Sequence, residues 1–433
     1  MTKGEWPLPP GTHTVAIGGG DLNGIMRGKR IPASHWDAVC KGGNASSIAL
    51  LTIDMTCDVW DTPYANFQNG YPDMHLFPAT KPVAVPWEPG VAFCLARFEG
   101  MDHKPVPIDP RNALIRQVER AKAMGYVVNV GCEVEFYLVD PVTKQPRERD
   151  IQVYSLTRAA AMEDALGPIR RLINEMDIPI EQSNPEYGAG QAEVNIRYAD
   201  ALTSADRLVM FRNLVKELAQ KQGMLATFMA KPFIDQSGNG FHTHYSLWKD
   251  GKNLFANKGK LSKLGLSFLA GMQKRMAEYA IAGSTTPNAF RRRRPYTFCP
   301  TKANWGYDNR TVALRVIEGA ESAVRVEKRD ASADCNPYYL LACDIAAGLD
   351  GIEQGLKPTE PCMGDGYSID IEGCPPLPAD LGTAIALAEE SAFVRDVYGA
   401  DGLTIMLQQA RREIDFIANQ VTPVEIARYL GNF

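Results

Sequence analysis

The sequence predicts an α+β protein in two parts: a small β-rich domain over residues 12–105, and a large domain over residues 106–433 built on one curved antiparallel sheet with flanking helices. Three observations carry this. The first hundred or so residues hold short apolar runs with Gly, Pro and Asp between them, the pattern of strands joined by turns. The remaining stretch of about 330 residues alternates strand-like and helix-like segments, as expected of helices packed on a sheet. Four of the predicted strands carry charged residues two apart, so each set projects from one face while apolar residues occupy the other.

Taken in order, the Pro-rich residues 1–11 read as an arm. Val15–Ile17, Ala49–Ile53, Val83–Val85 and Val91–Leu95 read as strands, with one helix starting near Ser34. The segment from Asp54 to Pro78 has few strand or helix signals and many aromatics: Trp60, Tyr64, Phe67, Tyr71 and Phe77. It is either a functional loop or a loop pinned by its own aromatic mini-core. Asp109-Pro110 opens a helix to Met124, because proline in the first turn loses no hydrogen bond. Strands follow at Tyr126–Val139, Ile178–Ile180, Gln191–Tyr198, Phe241–Trp248, Thr311–Ile317 and Ala323–Lys328. Helices are predicted over 156–176, Ser204–Gln222 and Leu261–Ile281, and from Pro337 onward the chain is mostly helical, with a loop near 357–377.

Bulk properties exclude several function classes. The net charge of −5, from 46 basic and 51 acidic residues, carries no global basic bias of the kind that nucleic-acid binders show. No run of about twenty apolar residues exists, so no membrane span is expected. The N-terminal residues lack the apolar core of a signal peptide. Nine cysteines without a CxxC pair read as reduced thiols of a cytoplasmic protein.

The charged strands carry the chemistry. The first holds Glu133-Val-Glu135. The second holds Gln191-Ala-Glu193-Val-Asn195, with Glu186 upstream beyond a Gly-Ala-Gly turn. The third holds His242-Thr-His244, after Gly238-Asn-Gly240. The fourth holds Arg325-Val-Glu327-Lys-Arg329. Alone, a Glu-x-Glu is more often a solvated face, and a His-x-His is a structural pair about as often as a ligand pair. Occurring together, they point to one shared site, because carboxylates converging in a core must be neutralised by cations. Mostly oxygen donors with an imidazole favour Mg²⁺ or Mn²⁺ over zinc. From Asn288 to Arg329 the chain also gathers Arg291–Arg294, Arg310, Arg315, Arg325 and Arg329. Guanidinium forks match phosphate and carboxylate oxygens two at a time. Arginines beside metal-type carboxylates read as divalent cations clamping nucleotide phosphates, that is, phosphoryl transfer.

These motifs, in this order, resemble the glutamine synthetase superfamily over nearly the whole chain. Asp21-Leu-Asn-Gly24-Ile-Met-Arg27 resembles the opening of its N-terminal β-grasp domain, and Gly70-Tyr-Pro-Asp73 fits a segment of the same domain. Glu133-x-Glu135, Glu186…Gly-Gln-x-Glu193, Gly238-x-Gly-x-His242-x-His244, Asn309-Arg310…Arg315 and Arg325-x-Glu327-x-Arg329, followed by Asn336-Pro337-Tyr338, match its catalytic motifs. The resemblance implies one metal site at Glu135, Glu186 and Glu193 and another at Glu133, His242 and Glu327, with two to three Mg²⁺ or Mn²⁺ per subunit. It implies that Gly238 and Arg292 bind L-glutamate, with Arg329 as a second arginine for glutamate or phosphate. Arg310 would contact the transferring phosphate, and His244, Arg315 and Arg325 would contact ATP. The implied chemistry phosphorylates the γ-carboxylate of glutamate, after which a nitrogen nucleophile displaces phosphate. The implied assembly is a dodecamer of two hexameric rings, with active sites formed between subunits.

One departure bears on the nucleophile. Ammonia-using members carry a glutamate in a Pro-Gly-Tyr-Glu-Ala-Pro type flap, and here the aligned Pro295-Tyr296-Thr-Phe298-Cys-Pro300 puts Phe298 at that position. A phenyl ring neither accepts a hydrogen bond from ammonium nor pairs with its charge. The family's aspartate from the neighbouring subunit has only Asp54 or Asp58 as a remnant. Phe298, Tyr296 and Asp54 therefore line the expected amine pocket, with Trp60, Tyr64 and Phe67 as further candidates. Burying an alkyl or aryl group there would contribute ~1.5–3 kcal/mol. This resembles the γ-glutamylamide branch, whose members join glutamate to organic amines. The expected acceptor is an alkyl or aromatic amine; no acidic cluster is dedicated to a polyamine, although Glu99–Asp102 or Asp61 could serve one. The alternatives are an ammonia-using glutamine synthetase, in which another carboxylate replaces the flap glutamate, and a non-enzymatic relative, which the intact ligand set disfavours. Tyr367 is not expected to be an adenylylation target.

Overall fold

The computed structural model describes residues 6–150 and 153–432, so part of the predicted N-terminal arm lies outside the described residues. Strands β1 (Thr14–Gly20), β2 (Met26–Pro32), β3 (Asn44–Ser47), β4 (Asp73–Pro78), β5 (Val83–Ala84) and β6 (Val91–Gly100) form one sheet, with helix α1 (Trp36–Gly42) between β2 and β3. The order is β2-β1-β6-β4-β3, with β5 on β6; β1 and β6 run parallel and the other pairs antiparallel. Glycine is required where β1 and β2 cross closely, since a Cβ at Gly28 would lie 2.1 Å from the Ile17 carbonyl oxygen.

The apolar run Ala49–Ile53 is not the predicted strand. Ser47 Oγ accepts from the Ala49 N–H and starts a 3-10 turn over Ile48–Leu51. Ile48, Ala49 and Leu51 are all buried in that turn, as strand alternation would not allow. The aromatic loop behind it is pinned to its own chain. Tyr64 donates to Asp401 at 2.8 Å, Arg412 bonds Asp58, and the Arg412 guanidinium lies 5.1 Å from the Trp60 ring centroid. Phe67 alone of its aromatics stands out, 84% exposed.

The second sheet is made by β7 (Val127–Val139), β8 (Ile180–Pro185), β9 (Gln191–Asp200), β10 (Leu225–Thr227), β11 (Phe241–Lys249) and β12 (Lys252–Asn253), then, beyond the small hairpin β13 (Ala256–Asn257) and β14 (Lys260–Leu261), by β15 (Trp305–Tyr307), β16 (Leu314–Ile317) and β17 (Arg325–Lys328). Its order is β15-β16-β17-β11-β7-β9-β8, with β10 on β7 and β12 on β11. It is antiparallel as predicted except at the edge, where β15, unforeseen as a strand, pairs parallel with β16. On β7, Val128, Val130, Cys132, Val134 and Phe136 are buried on one face, and the charged positions alternate on the other.

The apolar face is covered by α2 (Pro110–Ala123), α5 (Ala201–Lys221), α6 (Lys263–Arg275) and α9 (Pro337–Glu353), the last buried along most of its length. Asp206 of α5 accepts two 2.8 Å bonds from Arg111 of α2 and one of 2.7 Å from the Tyr338 hydroxyl of α9. The helix predicted over 156–176 breaks at Met162 into α3 (Leu156–Ala161) and α4 (Glu163–Asn174), and the one over 261–281 stops at Arg275, followed by the short helices α7 (Ala280–Gly283) and α8 (Pro287–Arg292). Asn336 caps α9 by accepting from the Tyr338 N–H, and its amide donates to the Asp21 and Leu22 carbonyls at 2.9 and 3.0 Å. Arg212 of α5 adds a bond to the Gly24 carbonyl. The Asp21–Arg27 and Asn336-Pro337 motifs thus meet at the junction of the two sheets.

Candidate active site

Strand register assembles the site. Across β11 and β7, His242 faces Glu133; across β11 and β17, His244 faces Glu327; across β7 and β9, Glu135 faces Glu193; across β16 and β17, Arg315 faces Glu327. Five of the sequence-predicted metal residues, Glu133, Glu135, Glu193, His242 and Glu327, therefore share one face, and Glu186 follows the end of β8.

Two triads place ligand atoms within 4.8 Å of one another: Glu133, Glu193 and His242, and Glu133, His244 and Glu327. This grouping differs from the expected sets, because Glu133 stands between both. The two histidines are not equivalent. Arg325 Nε donates to His244 Nδ1 at 3.1 Å, and a guanidinium can only donate. His244 Nδ1 is thereby taken up as an acceptor, and its other nitrogen, Nε2, lies 3.0 Å from Glu133 Oε1 without hydrogen-bond geometry to it. His242 has no such partner, and its Nδ1 stands 3.8 Å from both Glu133 Oε2 and Glu327 Oε1. His242 is the imidazole free to ligate.

Electrostatics divide the carboxylates. Burial pushes the Glu133 carboxyl up, but His244 and His242 outweigh this and hold it well below its usual range. Burial of Glu327 is likewise outweighed, by Arg329 and then the two histidines, and its carboxyl is held down to about 2. Arg315 donates to one Glu327 oxygen at 3.0 Å and Arg329 to the other, and Arg315 also pairs with Asp308. Burial, then the charge of Glu135, pushes Glu186 up to about 7. Burial, then Glu133, Glu135, Glu186 and Glu327, raises Glu193. Carboxylates that repel one another and lack a cationic partner fit a divalent cation, and oxygen donors with one free imidazole fit Mg²⁺ or Mn²⁺.

Around the cluster the other predicted residues separate by position along β11. At its Gly240 end, Arg292 is buried and donates to Cys299 Sγ and to the Asp330 and Arg329 carbonyls. A Cβ on Gly238 would lie 2.8 Å from Arg292 Cγ, and one on Gly240 would lie 2.7 Å from Arg292 Nη2, so both glycines make room for this guanidinium. At the Trp248 end, a cavity of about 340 Å³ is lined by Gly131, Glu133, Tyr198, His244, Trp248 and Arg325. Strand rise of ~3.3 Å per residue puts the two ends about 26 Å apart. Arg310 stands exposed beyond β15.

Phe298 is 46% exposed, with a left-handed backbone (φ 57°), and its ring lies 6.0 Å from that of Tyr187, which is 50% exposed. The Tyr296 ring packs instead on that of Tyr367, tilted by 50° with centroids 5.1 Å apart. Asp54 is not brought to them within the chain. It accepts from the Thr56 and Asp58 N–H groups and lies 3.7 Å from Arg412. Four residues of the site escaped sequence reasoning. Gln191 ties Glu135 to the Gly238 carbonyl and Asn239. Tyr154 lies near the cluster, its hydroxyl pushed up to about 12 by burial, then by Glu186 and Glu193. Asp308 and Tyr187 complete the set. Gln191 and Tyr187 stand inside or beside quoted motifs, and that adjacency was the available signal.

A sheet face carrying carboxylates, histidines and arginines in this register offers groups that could hold a divalent cation beside an anionic ligand. Residues 107–429 match the family described as glutamine synthetase, catalytic domain. Among curated relatives, a glutamate–isopropylamine ligase from Pseudomonas sp is 35% identical over 96% of this chain and 95% of its own. A γ-glutamylethanolamide synthetase, GlnA4, from Streptomyces coelicolor is 33% identical over 96% and 92%. A glutamine synthetase from Clostridium saccharobutylicum is 32% identical over 83% and 85%. The solved structure of apo GmaS without ligand superposes with a TM-score of 0.86 at 28% identity, covering 97% of each chain. The chain belongs to the glutamine synthetase family. It is a ligase, and its likeness extends to the γ-glutamylamide branch. No helix among the described residues is long and apolar enough to cross a membrane.

Proposed function

We propose that the protein is a cytoplasmic, ATP-dependent ligase that joins the γ-carboxylate of L-glutamate to an organic amine through a γ-glutamyl phosphate, releasing ADP and phosphate. The observation that carries this reading is the order along β11: a cavity at the Trp248 end, the carboxylate–histidine cluster, then the arginine-backed glycines, with the Phe298–Tyr187 pair where an ammonium-binding carboxylate would be expected. The relatives that act on isopropylamine and form the ethanolamide support the substrate class.

In this reading Glu133, His242 and Glu327 hold one divalent cation, and Glu135, Glu186 and Glu193 hold the other. Bound Mg²⁺ or Mn²⁺ would supply charge neutralisation at the phosphates. Arg315, Arg325 and His244 position ATP. Arg292 and Gly238 hold glutamate with its γ-carboxylate towards the phosphates. Arg310 and Arg329 stabilise charge on the transferring phosphoryl group. Phe298 and Tyr296 turn an apolar surface to the amine, and Asp54 reaches the pocket of a neighbouring subunit in a dodecamer of two hexameric rings. The test is phosphate release from ATP, glutamate and Mg²⁺ with ammonia, methylamine, isopropylamine, ethanolamine, putrescine and aniline. Turnover with one organic amine above that with ammonia is expected. Equal or better turnover with ammonia would make the protein a glutamine synthetase.

A further inference from the structure

We propose that Tyr187 is a specificity-determining residue, and that its ring and that of Phe298 form one wall selecting a monoamine with a compact aliphatic body. The proposal rests on the ligase reading above and narrows its acceptor. The two rings are tilted by 31° with centroids 6.0 Å apart, which is van der Waals contact, so no slot remains between them for an aryl ring to insert. Each is about half exposed, so the pair keeps a continuous apolar surface open to a ligand.

The wall is anchored on both shoulders by the site itself. Tyr187 follows Glu186 directly, and its N–H donates to Glu186 Oε2 at 3.3 Å. Phe298 precedes Cys299, whose sulfur accepts from buried Arg292. The rings are therefore tied on one side to Glu186 and on the other to Arg292.

Charge sets the second half of the selection. The exposed charged side chains in the segment before Phe298 are cationic, Arg291 and Arg294, and Glu186, beside Tyr187, is engaged by Asn184 and by the Tyr187 N–H. A second ammonium on the acceptor would meet the like charge of Arg291 and Arg294 there. A short alkyl body without further charge meets only ring carbon.

The test compares kcat/KM for isopropylamine, aniline, putrescine and ammonia in the wild-type enzyme, Tyr187→Ala and Tyr187→Phe. Wild type is expected to prefer isopropylamine to aniline and putrescine. Tyr187→Ala should lower kcat/KM for isopropylamine about tenfold relative to ammonia, with the KM for glutamate unchanged, and Tyr187→Phe should restore the preference. An equal loss for every amine would mark Tyr187 as merely structural and overturn the proposal, as would an unchanged isopropylamine-to-ammonia ratio. A wild type that prefers another organic amine overturns the narrowed acceptor alone; one that prefers ammonia overturns the ligase reading as well.

Discussion

Replacing Phe298 by glutamate is the sharpest perturbation of the amine end. Neither residue is β-branched, so the left-handed backbone at this position (φ 57°) strains both alike. Roughly half of the phenyl surface is already exposed, so its removal forfeits about half of the usual transfer free energy, ~1 kcal/mol for an alkylamine that covers the rest. A carboxylate in its place would accept a charge-assisted hydrogen bond from ammonium, a gain of about 1.5–3 kcal/mol. The two changes act in the same direction on the ratio of ammonia use to alkylamine use. Their sum, about 3 kcal/mol, corresponds to roughly a hundredfold shift of that ratio. The assay is phosphate release with ATP and glutamate held saturating while ammonia or isopropylamine is varied, and the ratio of the two kcat/KM values is compared with wild type. A ratio unchanged within threefold would refute the placement of Phe298 in the nucleophile pocket.

Three further outcomes are expected. Glu327→Gln keeps the side chain's shape beside Arg315 and Arg329 but removes its charge, and should cut ATP-dependent phosphate release by more than about a hundredfold; unaffected release would sink the metal assignment. Burial holds Glu186 protonated up to about 7 and raises Glu193, so in the metal-free enzyme the stability these protonated groups contribute is present at low pH and lost as pH rises through about 7. Mn²⁺ should therefore raise the melting temperature more at pH 8 than at pH 6 and release protons on binding, read by calorimetry in two buffers of different ionisation enthalpy; no proton release would count against carboxylate ligation. Asn336→Ala removes a helix cap and two bonds to the Asp21 and Leu22 carbonyls, and should destabilise the chain by about 1–3 kcal/mol in urea unfolding, whereas an unchanged midpoint would mean the junction is held elsewhere.

Much of the site was legible because β-strand side chains alternate. Glu133 and Glu135, Glu193, His242 and His244, and Glu327 had to share a face with their strand neighbours once the segments were read as strands, and register then brought them together. What pattern could not give was the role of hydrogen bonds between strands. Only the Arg325–His244 contact distinguishes the two histidines. Ala49–Ile53 misled because a buried 3-10 turn and a buried strand look alike over so short a mainly apolar run; the Ser47 cap decides between them. The parallel β15–β16 edge was missed because Trp305–Tyr307 is too short for periodicity to register. Tyr187 was passed over because its partner lies more than a hundred positions away in sequence.

The spread of these groups along one strand bears on how such a chain can change. Its Trp248 end and its Gly240 end are joined by continuous sheet, yet their side chains do not touch. Phe298 and the turn bearing Tyr187 lie outside the strands altogether. Substitutions that retune the proposed acceptor pocket can therefore accumulate in two short connections while the strand register stays as it is. A lineage built this way can diversify its products by editing loops while the paired carboxylates and histidines keep their places on the sheet.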